Sequence, residues 1–463
     1  MCMKRSGMCM KKMVRVCPDT AQAILHFCCK NTEDYILYRR FGMGYTQEEI
    51  LSFVEENDVK FVRLVFCDLF GRGRNISLLS SELARGLSDG VSFDASLIPG
   101  FLRIAESDLM LLPDPNTLSL LPWRPQQGRV ARLLCDIQHP DGTPFAGSSR
   151  NLLREAARKA LKMGYTCQIG VECEFYLFQL DETGSPTRKP HDSAGFLDLA
   201  PRDRGENVRR EICLTLETMG IAVESSHHES GPGQNEIVLK YAGALRAADN
   251  LMTLKQVIRT IANKNGLFAS FLPKPIPGVI GSGLHVNMSL LSGTTNLFET
   301  NSAHAPEAES FLTGILRRAS DLTFLLNPMP NSYERLGKME APGSVSWSHQ
   351  NRSQWIRIPA AQGESSRMEL RAPDPAMNPY LAFALLIHAG LEGLEEKLQL
   401  PGQDTAERLP QTLLDAVQIA EKSAFIARVL PNEVRKHLFQ VQRDADKYEP
   451  AALPALEDPL FDV

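Results

Sequence analysis

Apolar and polar positions recur with two different periods along this 463-residue chain, and the changes of period mark its elements. Over residues 46–57 the apolar positions fall at helical spacing, with Thr46 placed to cap the first turn and Glu49 to complete a capping box. Residues 60–68 then alternate as a strand does, Gly71-Arg-Gly73 makes a turn, and 75–79 return as a second strand, which predicts a hairpin. Residues 81–86 read as a helix and 130–136 as another strand. Together they predict a small α+β unit of about a hundred residues that closes near Pro144.

A longer stretch follows with the same two periods. Residues 149–163 read as a helix with an N-cap serine, 207–219 as a helix, 236–241 as a strand and 247–265 as a long helix opened by Asp249. Further strands are expected at 268–272, 283–291 and 353–359, and helices at 307–326, 378–398 and 410–421. There is no internal repeat and no low-complexity segment. Strands and helices do not alternate in the strict order of a parallel sheet. The expected class is therefore α+β, with a mostly antiparallel sheet flanked by helices.

Composition changes this picture little. Hydrophobic residues make up 43% and charged residues 23%, and a net charge of -5 lacks the basic excess of a nucleic-acid surface. No apolar run approaches the roughly 20 residues needed to cross a bilayer. The expectation is a cytoplasmic protein with no nucleic-acid or membrane partner. Five of the ten cysteines lie in the first thirty residues, and the others fall in apparent strands and helices, where a free thiol packs as a small hydrophobe. Residues 1–42 are expected to form a poorly ordered extension. Their basic start lacks the apolar core of a secretion signal, their cysteine spacing fits no common zinc pattern, and Met43 stands just ahead of the first helix-start signal.

The chemistry begins at Val171-Glu-Cys-Glu-Phe-Tyr-Leu-Phe178, an otherwise apolar strand. Residues i and i+2 of a strand share a face, so Glu172 and Glu174 stand side by side. Either both face solvent, or they need a cation between them; hard oxygen ligands suit Mg²⁺ or Mn²⁺ better than zinc. His227-His-Glu-Ser-Gly-Pro-Gly-Gln-Asn-Glu236 crowds ionisable groups and two glycines into a loop-to-strand passage, and would aim Glu229 and Glu236 at the same site. Gly281-Ser-Gly-Leu-His285 opens a strand whose histidine can be a nitrogen ligand or a structural residue. Glu369 and Arg371 place a carboxylate and a guanidinium on one strand face.

These passages, with Phe93-Asp-Ala-Ser-Leu-Ile98, Lys274-Pro, Asn331-Ser-Tyr-Glu-Arg335, Asn351-Arg-Ser-Gln-Trp-Ile-Arg-Ile-Pro359 and Glu369-Leu-Arg-Ala-Pro-Asp-Pro375, appear in an order that resembles the glutamine synthetases, in particular their bacterial type I-like branch. The resemblance implies a β-grasp-like domain over 43–140 and a glutamine synthetase catalytic domain over 141–463. It implies a glutamate–ammonia ligase that uses ATP as co-substrate and two divalent cations per site. Glu174, Glu229 and Glu236 would hold one cation, and Glu172, His285 and Glu369 the other. Arg352, Arg357 and Arg367 would contact phosphates and nucleotide, Glu224 and Ser289 would touch ATP, and Arg335, Arg371 and Gly281 would bind L-glutamate. Asp94, supplied by a neighbouring subunit, would deprotonate ammonium, and Glu340 would close a flap over the intermediate. The resemblance also implies a dodecamer of two hexameric rings.

Several positions depart from the family pattern. Ile280 replaces an asparagine, Asn287 the second histidine of a His-x-His, Leu97 a serine near the ammonium path and Glu364 a nucleotide-side lysine; the flap between Arg335 and Glu340 is one residue shorter. Glutamine synthesis, γ-glutamyl ligation of a larger amine or polyamine, and a noncatalytic structural role therefore all stay open at this point. Residues 400–410 carry no tyrosine, so control by tyrosine adenylylation is not expected.

Overall fold

A computed structural model describes residues 45–101, 107–299 and 305–446, so the expected extension over 1–42 and Met43 lie outside the described residues. The first element of the described residues is the helix Gln47–Glu56, whose capping box joins Thr46 and Glu49 in both directions. Strands β1 (Val59–Cys67) and β2 (Gly73–Leu79) form the expected hairpin. After the short helix Leu83–Ser88 come β3 (Val91–Asp94), β4 (Asp108–Pro113), β5 (Ser119–Leu120) and β6 (Arg129–Gln138). They make a sheet of order β2-β1-β6-β4-β3, in which β1 and β6 run parallel. Ile50, Val62, Leu64, Leu109, Leu111 and Leu133 pack on one side of it as a separate core.

The second sheet is built on β7 (Tyr165–Leu180), long enough to pair with β8 (Pro186–Pro190), β10 (Gln234–Gly243), β11 (Leu267–Ser270) and β12 (Leu284–Ser292). Strand β9 (Val223–His228) extends it beyond β10; β13 (Thr295–Asn296), β16 (Met368–Leu370), β15 (Ile356–Ile358), β14 (Ser344–His349) and β17 (Asp404–Arg408) extend it beyond β12. All pairs but the parallel β14–β15 are antiparallel. Period 2 splits this sheet cleanly. Val171, Cys173, Phe175, Ile237, Val286 and Leu370 point to one face and are buried under the helices Ser149–Lys162 and Ala244–Lys264, against which the helix Pro379–Glu396 packs in turn. The polar alternates point the other way.

Five expectations need correction. Asp249 does not open its helix: the helix starts at Ala244, and Asp249 is buried six residues in, bonded to Arg150 and Tyr380. The N-cap of the helix Ser149–Lys162 is Ser148, whose side chain makes no capping bond. The helix over 307–326 breaks at Arg318 into Pro306–Arg317 and Ala319–Leu326, where the Arg318 guanidinium turns to Glu392 and Asp321. The strand expected at 353–359 is only Ile356–Ile358, because Asn351 Oδ1 takes the Ser353 amide into a turn. The passage from His227 is a strand–turn–strand hairpin rather than a loop entering one strand.

Candidate active site

Register carries the polar face across the sheet. His227 lies opposite Glu236, Glu236 opposite Glu174, His285 opposite Glu172, Glu369 opposite Asn287, and Arg357 opposite Glu369. Directly opposed residues share a face with Cβ atoms about 5 Å apart, so six strands deliver one continuous row of ionisable groups. Its floor is open because of glycine: a Cβ on Gly283 would sit 2.8 Å from Arg335 Nη2, 3.0 Å from His285 Nε2 and 3.1 Å from Glu174 Oε1. A Cβ on Gly281 would meet the Pro273 carbonyl at 2.3 Å.

Each carboxylate has a different environment. Glu172 Oε2 lies 3.0 Å from His285 Nδ1, and its Oε1 accepts from Asn287 Nδ2 at 2.9 Å. Burial opposes its charge, yet the histidine, the amide and Arg367 hold its pKa down to about 2. Glu174 Oε2 accepts from Gln234 Nε2 at 2.7 Å and from the Gly283 amide at 3.0 Å, and burial raises its pKa. Among the described residues no guanidinium pairs with Glu236. Burial first, then Glu174, Glu172, Glu229 and Glu369, push it up to about 10. Glu229 Oε1 lies 2.9 Å from His227 Nε2, which is 3.7 Å from Glu236. Glu369 is held by Arg371 at 2.5 Å and by Arg357, and lies 4.0 Å from His285 Nδ1.

Oxygen or nitrogen atoms of Glu172, Glu236 and His285 come within 4.8 Å of one another, as do those of His227, Glu229 and Glu236. Glu236 is thus common to both groups. Glu174 reaches His285 Nε2 at 4.0 Å, between them. An oxygen-rich pocket in which burial and neighbouring carboxylates oppose the charge of the central acid fits a hard divalent cation.

The other expected residues divide into three sets. Arg335 is buried and donates to the carbonyls of Ala372 (2.7 Å) and Arg371 (3.1 Å), beneath Gly281 and Gly283. Arg371 Nη2 lies 3.6 Å from Glu340 at the mouth, where Glu340 is largely exposed. Farther along the row, Arg367 Nε donates to Asn287 Oδ1 at 2.9 Å, and Ser289 Oγ to the Ser366 carbonyl at 2.9 Å. Asn287, at a position where the family pattern has histidine, therefore bridges Glu172 to Arg367. Outside the contacts of the row stand Arg352 and Glu224, both exposed, and Asp94, which caps its own turn through Ser96. Glu364 accepts from Tyr241 at 2.9 Å, the Ile280 carbonyl from Tyr176 at 2.6 Å, and Leu97 is 82% exposed.

Sequence reasoning did not single out His227 or Gln234. Gln234 is fully buried and links Glu174 to the Gly281 carbonyl (3.2 Å) and the Gly231 amide (2.9 Å). Its i−2 spacing from Glu236 was the available signal.

With this geometry in place, fold and site together define a carboxylate-lined, cation-requiring catalytic domain joined to a β-grasp domain. Residues 58–140 match the description "Glutamine synthetase, beta-Grasp domain" and 146–452 "Glutamine synthetase, catalytic domain". A glutamine synthetase of Clostridium saccharobutylicum is 45% identical over 409 residues, 84% of this chain and 92% of that one. One of Methanosarcina mazei is 43% identical over 430 residues, 88% and 96% of the two chains. Among solved structures, a GmaS/ADP complex superposes with a TM-score of 0.77 at 30% identity, over 85% of this chain and 95% of that one. Plasmodium falciparum glutamine synthetase gives 0.78 at 25% identity, over 87% and 96%. The chain belongs to the glutamine synthetase family.

Proposed function

We propose that this protein ligates ammonia to the γ-carboxylate of L-glutamate, coupled to conversion of ATP to ADP and phosphate. The observation that carries the reading is the Glu236-centred row: buried acids whose charge burial and one another oppose, with Arg357 and Arg371 on Glu369, Arg367 on Asn287 and Arg335 beneath Gly281 and Gly283. Bound Mg²⁺ or Mn²⁺, two per site, would supply charge stabilisation for phosphoryl transfer. Glu174, Glu229 and Glu236 would hold one, and Glu172, His285 and Glu369 the other, with Glu236 near enough to serve both.

Arg335 and Arg371 orient glutamate over the opening left by Gly281 and Gly283. A γ-carboxylate oxygen attacks the γ-phosphorus, the bond to ADP breaks, and Arg352, Arg357 and Arg367 offer donors to the charge that develops on the phosphoryl oxygens. Glu224 and Ser289 line the nucleotide end. Ammonia then attacks the acyl carbon and phosphate leaves; Asp94 of a neighbouring subunit takes the proton lost from ammonium. Glu340, tethered to Arg371, excludes water that would hydrolyse the acyl phosphate. An assembly of two hexameric rings, a cytoplasmic setting, and domains spanning 43–140 and 141–463 complete this reading.

Metal-dependent release of ADP tests it. Glutamate plus ammonium should give turnover, and glutamate plus a polyamine little. The reverse result would assign a γ-glutamyl ligase for larger amines, and no turnover with either would overturn the catalytic reading. Glu174→Ala should abolish turnover while the chain stays folded.

A further inference from the structure

Tyr176 and Gln234 lie opposite each other on β7 and β10, and their i, i+2 spacing from Glu174 and Glu236 puts both on the face of the row. Both are fully buried, and the mechanism uses neither. The Tyr176 hydroxyl donates to the Ile280 carbonyl at 2.6 Å. Gln234 Nε2 donates to the Gly281 carbonyl at 3.2 Å and to Glu174 Oε2 at 2.7 Å, while its Oε1 accepts from the Gly231 amide at 2.9 Å. A carboxylate and a carbonyl on one side, with an N–H on the other, fix which end of the amide is nitrogen.

The main chain of Gln234 takes part as well, since its carbonyl accepts the Glu229 amide at 2.8 Å and closes the turn between β9 and β10. One residue thus reaches Glu174, Glu229 and the Gly281 carbonyl. The turn leaves room for it through glycine: a Cβ on Gly231 would stand 2.1 Å from the Tyr176 hydroxyl and 2.8 Å from Gln234 Oε1. The hold on Glu174 is one-sided. Gln234 and the Gly283 amide, at 3.0 Å, both engage Oε2, which leaves Oε1, 4.0 Å from His285 Nε2, to the pocket.

An arginine in this place would cancel the charge of Glu174, whereas a neutral amide orients the carboxylate and keeps its charge for a cation. Resting on the reading of the row as a cation and glutamate site, we propose that Gln234 is a positioning residue that couples the two. It turns Glu174 so that Oε1 alone meets the cation, and it holds the Gly281 carbonyl in place for the amino acid. Both bonds leave one nitrogen of one buried side chain, so a shift at either acceptor is felt at the other. Cation and glutamate therefore strengthen each other's binding by the same factor, as linkage requires.

Mn²⁺ binding to the full-length protein is followed by electron paramagnetic resonance of the free ion, with and without L-glutamate. Glutamate binding is measured calorimetrically with and without Mn²⁺. In the parent each ligand should tighten the other about fivefold or more. Gln234→Met keeps the length of the side chain and removes its donors. It should weaken Mn²⁺ binding on the order of 10- to 100-fold and bring the coupling factor close to one. Gln234→Asn, one methylene short, keeps an amide in the core and should do the same, so it decides if the methionine variant fails to fold. Tyr176→Phe deletes the bond to Ile280 alone; it should weaken glutamate and leave the affinity for Mn²⁺ unchanged, which a general loosening of the segment would not do. The proposal is overturned if a folded Gln234 variant keeps the parent's coupling factor, or if Tyr176→Phe weakens Mn²⁺ as much as the Gln234 variants do. A parent that turns over without coupling overturns it and leaves the proposed function standing; a parent that binds no Mn²⁺ overturns both.

Discussion

Two buried charged clusters in this molecule both gather carboxylates in the interior and solve opposite problems. Around Arg150, three aspartates each receive a guanidinium bond, Asp114 at 2.8 Å, Asp136 at 2.7 Å and Asp249 at 2.8 Å, and Tyr380 adds a hydroxyl to Asp249 at 2.7 Å. That knot is complete within one chain and fastens the β-grasp sheet to three helices of the catalytic domain. Around Glu236 the acids outnumber their partners, and the nearest basic group is His227 at 3.7 Å. A cluster satisfied by its own chain holds a fold together, and a cluster left in deficit is shaped for a charge that arrives from outside.

The largest effect that would test this contrast is Arg150→Met, which leaves Asp249 without any guanidinium and Asp114 and Asp136 with only that of Arg154. It should cost about 3–5 kcal/mol, read from denaturant unfolding. A loss under about 1 kcal/mol would show that the knot holds nothing together.

Glu236→Gln should do the reverse: activity falls on the order of 10²-fold, measured as ADP release, while the metal-free chain becomes no less stable. The pH dependence follows from sign. The folded-state pKa of Glu236 is raised from its ordinary value to about 10. Its contribution is therefore complete below the unfolded value and is lost as pH climbs towards the folded one. Chelator-treated protein should lose stability between about pH 5 and 10, and the variant should flatten that decline.

A smaller effect is expected for Asp249→Asn, which keeps the shape of the knot and removes one charge, at about 1–2 kcal/mol by thermal melting. Tyr380→Phe, which deletes a single hydroxyl from the same knot, should cost about 1 kcal/mol.

The contrast was half visible in the sequence. Glu172 and Glu174 announce themselves because i, i+2 acids interrupt an apolar strand, and the register that adds Glu236, His285 and Glu369 follows from where their motifs meet that strand. The knot stayed hidden. Asp249 looks like a helix start because an acid near an amphipathic onset is a local signal, whereas its partner Arg150 is 99 residues away and no local period reveals it. Strand β4 was missed because Leu109, Met110, Leu111 and Leu112 show no clean alternation, although burial does alternate over part of it. Strand β17 was missed because its partner β14 is some 60 residues upstream and polar positions dominate it. The resemblance also points to Arg352 and Asp94, but within one chain neither touches the row.

The central strand β7 also governs how the protein is made. Its flanks pair with β10 and β12, so its last partner ends at Ser292, more than a hundred residues after Leu180 leaves the ribosome. At elongation rates of about 5–20 residues per second that interval is roughly 5–20 s, during which a largely apolar strand carries an unmatched edge. A nascent chain in this window is exposed to aggregation and is a natural client for holding chaperones. Translation speed through 181–292, rather than the stability of the finished fold, would then set the yield of native protein.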